Sequence, residues 1–372
     1  MSNLAVKFTG GSGFHVVDPN VDFRDLLSDE SVKKSLEERN VSVDLEKLKK
    51  EYDAFWQRYE TWRQNKDDST LKKAMREVAP GLVEVLKLPN TIHKTSTEMK
   101  SMLKPSKHSQ YLAQQGLMRI EKETSTIHLV GYPALILNNL CKQLLDAFSD
   151  TMLISPSYFV RAAVLEGLNV DVDKFLEFTD SGDKSNNKPA IYVVGNSLAA
   201  LVSAFIKTQF SAENNSWPLQ LQAIGPAYHH KSNSIDLIRA RQRMKHTVLI
   251  LAKSEDEMDG LINSATARLA AIMQEDLDLD IKGRTVTGTE LQNYESQAIV
   301  IEERGLELAR ISRIGQYVPK RLNICTDEGY VHMAYVATDL SRVLARIIDF
   351  LVDGKDPPKI IRKAIKEGVG LT

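Results

Sequence analysis

The sequence has little of what marks most chemistries. Among its 372 residues only Cys141 and Cys325 are cysteines, and without CxxC spacing they point to a reduced compartment and away from structural zinc. The eight histidines show neither HExxH nor Cys/His spacing, so no metal site is expected. GxGxxG, P-loop and GxSxG patterns are all missing, which removes dinucleotide-binding, P-loop and α/β-hydrolase readings. No apolar run approaches the ~20 residues a membrane span requires, and no membrane association is expected. Neither a signal-peptide core nor an Arg-rich leader is visible near the start, an absence that leaves location open. The net charge is −1, so any nucleic-acid surface has to be a local patch.

What is present is ordinary globular material, 42% hydrophobic and 26% charged, long enough for a large core with an appendage. One stretch stands out. From Arg239 every second residue is basic: Arg239, Arg241, Arg243 and Lys245. On a strand the four would share a face, and like charges crowd together only where they are solvated or meet an anion. His229, His230 and Lys231 lie just upstream, and Asp236 is the only acid between Gly225 and Leu251.

Residues 1–43 read as a polar start with a short helix over 29–39. Leu45, Leu48, Tyr52, Phe55, Tyr59 and Trp62 then alternate spacings of three and four, a helical seam with Asp44 as its N-cap. After turn chemistry at 64–70, a second stripe (Leu71, Met75, Val78, Leu82, Leu86) predicts an antiparallel hairpin over 44–90, with Pro80-Gly81 kinking or splitting the second helix. Residues 91–109 form a linker. Within 110–372 the patterns predict helices over 131–148, 157–166, 198–208, 255–274 and 339–350. Strands are expected over 152–154, 191–194, 298–301, 306–311 and 321–325, with a polar loop over 181–189. Strands without a βαβ rhythm argue for an α+β fold with an antiparallel sheet flanked by helices.

The order of these segments resembles the seryl-tRNA synthetase family of class II aminoacyl-tRNA synthetases. LPNTIH after the hairpin is similar to the segment that follows that family's coiled-coil tRNA-binding arm. LISPSYFVRAAVLEGLNVDVDKF is similar to motif 1, with Pro156 at its proline, and IYVVGNSLAAL falls at the serine-binding TxE loop. PAYHHK…LIRARQRMKHT falls on motif 2, ARISRIGQYVPKRLNI on the REISS segment, and VHMAYVATDLSRVLARIIDF on motif 3. The resemblance implies that catalysis is lost. The motif 2 arginine falls on His229, its glutamate on Lys231, the adenine-stacking phenylalanine on Arg243 and a later glutamate on Thr247. The TxE threonine falls on Asn196 and its glutamate on Leu198, and the metal- and ATP-binding glutamate of REISS falls on Arg310. Arg239, Gln242, Lys245, Ser312 and Arg342 keep the family's residue.

Serine activation needs carboxylates for Mg²⁺ and an acid for the serine ammonium. The resemblance therefore implies a pseudoenzyme with no bound cofactor. It would act in mitochondria and mitochondrial translation, as a heterodimer with an active mitochondrial seryl-tRNA synthetase or as a homodimer, and bind tRNA of the serine type. The candidate tRNA surface is the arm: Lys47, Lys49, Lys50, Arg58, Arg63, Lys66, Lys72, Lys73 and Arg76. Arg239, Arg241, Arg243, Lys245 and Arg342 are candidate phosphate ligands. The other reading is a structural subunit that pairs with the synthetase without touching RNA.

Overall fold

The computed structural model describes residues 22–98, 100–103, 106–178, 191–213, 216–229 and 234–367. It begins with an all-helical unit: α1 (Arg24–Ser28), α2 (Glu30–Glu38), α3 (Leu45–Gln64), α4 (Ser69–Glu77) and α5 (Ala79–Leu86). Asp29, Asp44 and Asp68 each start a helix by accepting a backbone N–H of its first turn, satisfying a donor that has no intrahelical partner. The predicted seam from Leu48 to Trp62, joined by Trp56, is buried along α3, with Leu45 half-buried at its start. The second helix is split at Val78, with Pro80 at the start of α5. Gly81 explains why α5 can lie against α3. A Cβ there would come within 2.4 Å of the Glu51 carbonyl oxygen, closer than any side chain tolerates. The result is an antiparallel hairpin with its own aromatic core.

Residues 91–98 carry no helix or strand, but they are pinned along the core: the amides of His93 and Ser96 donate to the carbonyls of Ser296 (2.8 Å) and Val286 (3.1 Å). The core follows as α6 (His108–Gln114), the hairpin β1 (Met118–Glu121) and β2 (Thr126–Leu129), α7 (Tyr132–Ala147), β3 (Met152–Leu153), β4 (Phe159–Arg161), α8 (Ala162–Gly167), β5 (Leu176–Phe178), β6 (Ile191–Val193), α9 (Leu198–Ser203), β7 (Gln209–Phe210), β8 (Leu219–Tyr228) and β9 (Gln242–Ala252). Then come α10 (Glu255–Ala271), β10 (Ile281–Thr285), β11 (Gln297–Glu303), β12 (Leu306–Gly315), α11 (Tyr317–Leu322), β13 (Cys325–Thr326), β14 (His332–Asp339), α12 (Leu340–Val352) and α13 (Lys359–Glu367).

A seven-stranded sheet in the order β10-β11-β12-β14-β9-β8-β3 organises the core. Every pairing is antiparallel except the parallel edge pair β3–β8. Alternation along β9 divides two apolar layers, Val248, Ile250 and Ala252 facing one and Leu249 and Leu251 the other. Helices α7, α10 and α12 cover the first layer, and α8, α9 and α11 the second. Asp339 caps α12 through the Arg342 amide at 3.2 Å. No helix among the described residues is long and apolar enough to cross a membrane.

Four expectations change. Residues 157–166 are not one helix: Phe159–Arg161 pairs with β6, and the helix begins only at Ala162, because β-prone Phe159 and Val160 find a strand partner. The helix expected to run to 208 ends at Ser203. Residues 321–325 are not a strand either. α11 runs to Leu322 and stops at Asn323, whose left-handed backbone (φ 53°) suits asparagine. Finally, the basic strand begins only at Gln242. Asp236 Oδ1 accepts the amides of Ile238 (2.9 Å) and Arg239 (2.8 Å), an Asx turn that holds Arg239 outside the strand. The sheet also uses β8, β10 and β14, which the patterns did not single out. The loop expected over 181–189 lies outside the described residues.

Candidate functional site

A cleft of 460 Å³ opens on the sheet face that carries Leu249 and Leu251 deeper in. Its floor comes from alternate residues of three adjacent strands: Arg310 and Ser312 of β12, Tyr335, Ala337 and Asp339 of β14, and Arg243 and Lys245 of β9. Arg342 from α12, His229 and the 197–199 turn complete the rim, with Gln292 and Tyr294 on the opposite side. The turn depends on Gly195, whose φ of +65° and close approach to the Pro226 carbonyl (2.4 Å from a built Cβ) exclude a side chain.

The cations are mostly spoken for. Arg310 donates through Nε to Glu295 Oε1 (2.7 Å) and through Nη2 to Oε2 (2.6 Å), and Nη2 also reaches the Glu290 carbonyl (3.0 Å). Burial works against the Arg310 charge, but the Glu295 carboxylate outweighs it and raises the guanidinium pKa. Glu295, fully buried, also accepts from Ser312 Oγ (2.6 Å) and the Gln292 amide (2.7 Å). Arg243 is buried, pairs with Asp339 (2.7 Å) and donates to the Ile238 carbonyl (2.9 Å); burial pulls its pKa down against the pull of Asp339.

Lys245 is different. In register it lies directly opposite Asp339, yet its ammonium makes no hydrogen bond or ion pair with any described residue, because that carboxylate is engaged by Arg243, by Arg342 and by the helix cap. Burial pulls its pKa down to about 8, with Arg243 and Arg342 adding to the fall and Asp339 opposing it.

The remaining candidate positions pack rather than face a ligand with charge. Thr247 is buried and donates to Asn196 Oδ1 (2.8 Å), while Asn196 Nδ2 donates to the carbonyls of Lys245 (2.9 Å) and Ala223 (3.2 Å). Leu198 lines the cleft as an apolar wall. Arg239 and Arg241 are outside the cleft, Arg239 against Ser234 and Asp236, and Lys231 lies outside the described residues. The structure thus brings His229, Arg243, Lys245, Leu198, Arg310 and Arg342 together and leaves Arg239, Arg241 and Thr247 elsewhere. Sequence reasoning missed Glu295 and Asp339. Asp339 carries a signal, an aspartate just before the Leu340–Ile348 stripe; Glu295 sits in a loop with none.

No family model matches the sequence, and no curated protein does. Solved structures do match. The chain superposes on the cytoplasmic serine–tRNA ligase of Naegleria fowleri in complex with AMP with a TM-score of 0.71, at 14% identity, over 95% of this chain and 98% of that one. For the seryl-tRNA synthetase of Pyrococcus horikoshii complexed with ATP the TM-score is also 0.71, at 16% identity, covering 94% and 98%. The fold is that of the seryl-tRNA synthetases. Prolyl-tRNA synthetase from Cryptosporidium parvum shares less of it, with a TM-score of 0.57 over 65% of this chain and 52% of that one, at 16% identity. The seryl-tRNA synthetase likeness spans the helical arm as well as the core.

Within this seryl-tRNA synthetase fold, the cleft does not suit Mg·ATP. Mg²⁺ beside a nucleotide is held by a free carboxylate or two together with the phosphates and water. Here Glu295 is fully engaged, Asp339 neutralises Arg243, and Arg310 and Lys245 would repel the ion. Among the described residues no group of three or more His, Cys, Asp or Glu is placed to hold a metal.

The arm is an ordinary charged helical surface. Lys47, Lys50, Arg58, Arg63, Lys66 and Lys73 are exposed, and Lys49, Lys72 and Arg76 half-buried. Lys47 is 3.8 Å from Glu51, an exposed pair of small energetic value.

Proposed function

We propose that this chain is a non-catalytic counterpart of the seryl-tRNA synthetases, one that keeps the dimeric fold and holds serine tRNA through its helical arm. On this reading it acts in mitochondrial translation without charging tRNA or binding ATP. The observation that carries the proposal is the Arg310–Glu295 fork. It puts a neutralised ion pair where the resemblance requires a free carboxylate for metal and nucleotide, and Leu198 offers nothing to a serine ammonium. The test is serine-dependent ATP–pyrophosphate exchange alongside retention of tRNA by the isolated protein. No exchange with salt-sensitive tRNA retention is expected; robust exchange overturns the proposal.

A second reading, a pairing subunit that does not touch RNA, draws on the apolar edge of the core. Met152 (61% exposed) and Leu153 (65%) lie on edge strand β3, and Phe159 (52%) and Phe178 (51%) form an edge-to-face pair at 5.5 Å on the small β4-β6-β5 sheet. An open edge strand beside exposed aromatics favours protein pairing. A native mass spectrum of the complex from its source distinguishes self-pairing from pairing with an active mitochondrial seryl-tRNA synthetase.

A further inference from the structure

Lys245 and Arg342 flank the same aspartate from two sides. Lys245 is its cross-strand neighbour, and Arg342 is three residues into the helix that Asp339 caps. Both line the cleft. Arg342 donates Nη1 to the Glu307 carbonyl (2.9 Å) and its Nε lies 3.6 Å from Asp339 Oδ2, while its Nη2 has no hydrogen bond to a described residue. The ammonium of Lys245 is likewise unpartnered. Around it stand Arg243 on its own strand, Asp339 on β14, Arg342 on α12, Glu307 and Arg310 on β12, and His229. Asp339 is shared by Arg243 at 2.7 Å and Arg342 at 3.6 Å, and Glu307 lies 3.4 Å from Arg310. What the cleft has left over is one amine beside one guanidinium edge, in a partly dry space open to small solutes.

We infer that the cleft captures small anionic carbonyl compounds, Arg342 holding their phosphate or carboxylate while the Lys245 amine condenses with their aldehyde or keto group. Desolvated lysines next to cations are suited to this work because they carry a usable fraction of free amine near neutrality. With its pKa at about 8, Lys245 is about one-tenth free amine at pH 7. In the addition step the nitrogen lone pair forms a bond to the carbonyl carbon. The C=O π pair moves to oxygen, which takes up a proton that the nitrogen gives up. Water then leaves with that oxygen and the second nitrogen proton, and a C=N bond remains; no oxidant or reductant is consumed. The inference is independent of tRNA binding and of any dimer.

The test uses the full chain, three probes and borohydride reduction, followed by peptide mapping. Pyridoxal 5′-phosphate and glyoxylate carry an anion, while pyridoxal is the control without one. Lys245 should be trapped several-fold faster than any arm lysine with the anionic probes and show no such preference with pyridoxal. The relative rates of phosphate and carboxylate probes identify the anchoring group. Excess inorganic phosphate and Arg342→Gln should each slow trapping at Lys245 several-fold, and the rate should climb as pH rises toward about 8. Lys245→Met should remove the imine absorbance while the melting temperature is kept, which separates loss of the amine from loss of fold. Equal trapping by pyridoxal, or labelling of the arm in preference to Lys245, overturns the inference.

Discussion

Arg310 and Glu295 grip each other through two hydrogen bonds, at 2.7 and 2.6 Å, across the floor of the cleft. Removing one partner of such a buried pair leaves an uncompensated charge. Glu295→Gln should therefore cost about 3 kcal/mol of unfolding free energy. The single amide oxygen of Gln can still accept from the Gln292 amide, and its NH2 can donate to Ser312 Oγ, which turns from donor to acceptor, so adding Arg310→Met should restore a large part of the loss. Urea denaturation of the two single variants and the double gives the coupling energy. Strict additivity would mean that the fork contributes nothing as a pair.

Arm-borne tRNA binding should rest on phosphate contacts, since a helical hairpin has no element shaped to read bases. Lys72→Glu with Lys73→Glu should weaken binding several-fold and flatten its salt dependence, because each lost contact releases fewer counterions. Neither residue belongs to the Leu71–Met75–Val78 seam. The competing surface is best probed with Arg239→Glu and Arg241→Glu, not Arg243→Glu, because Arg243 is buried against Asp339 and its reversal would disturb the fold. Filter binding across a salt series decides between them. If both pairs bind like the parent, the pairing-subunit reading gains.

Leu153→Asp should dissociate the dimer by placing a carboxylate on the exposed apolar edge strand. Analytical ultracentrifugation at micromolar concentration should show dimers of the parent and monomers of the variant. A parent protein that is a stable monomer, with no affinity for the synthetase, rules the pairing out.

His246 sets an acid limit on stability. It is fully buried, its Nε2 lies 3.1 Å from Gln222 Oε1, and its ring packs on Phe148 at 5.2 Å. Burial pushes its pKa down to about 4 from 6.5. The unfolded chain therefore binds the proton first as pH falls, so the contribution is complete above pH 6.5 and lost between 6.5 and 4. The loss approaches about 3 kcal/mol. His246→Gln should flatten this window in melting-temperature measurements; an unchanged slope would assign the acid sensitivity to other groups.

The arm was legible because its signals are local and repeated. Aspartate caps, a three-four seam and Pro80-Gly81 each fix helix boundaries within a few residues. The sheet was less so. β8 has no clean alternation because both its faces meet other elements, and β10 and β14 were passed over for the same want of a local signal. At the cleft, sequence pattern placed Arg243, Lys245 and Arg310 near one another through an ordered resemblance. It overstated the basic face, since an Asx turn at Asp236 decides where the strand begins. Compensation was invisible altogether: that Arg310 is answered by Glu295, and Arg243 by Asp339, depends on contacts between distant segments.

Arg39 bears on how the arm can be studied. From the end of α2 its guanidinium reaches the backbone carbonyls of Asn90, Leu291, Gln292 and Glu295, so a charge from the helical unit ties down the same loop that supplies the carboxylate to Arg310. Cutting the helical unit away would strip the carbonyls of Leu291, Gln292 and Glu295 of this donor and loosen the cleft from the base of a helix about 30 Å long, far from any RNA contact at its tip. A truncated protein that loses ligand binding would therefore say nothing about where the ligand sits. Surface charge reversals, which leave Arg39 in place, are the informative way to separate arm from core.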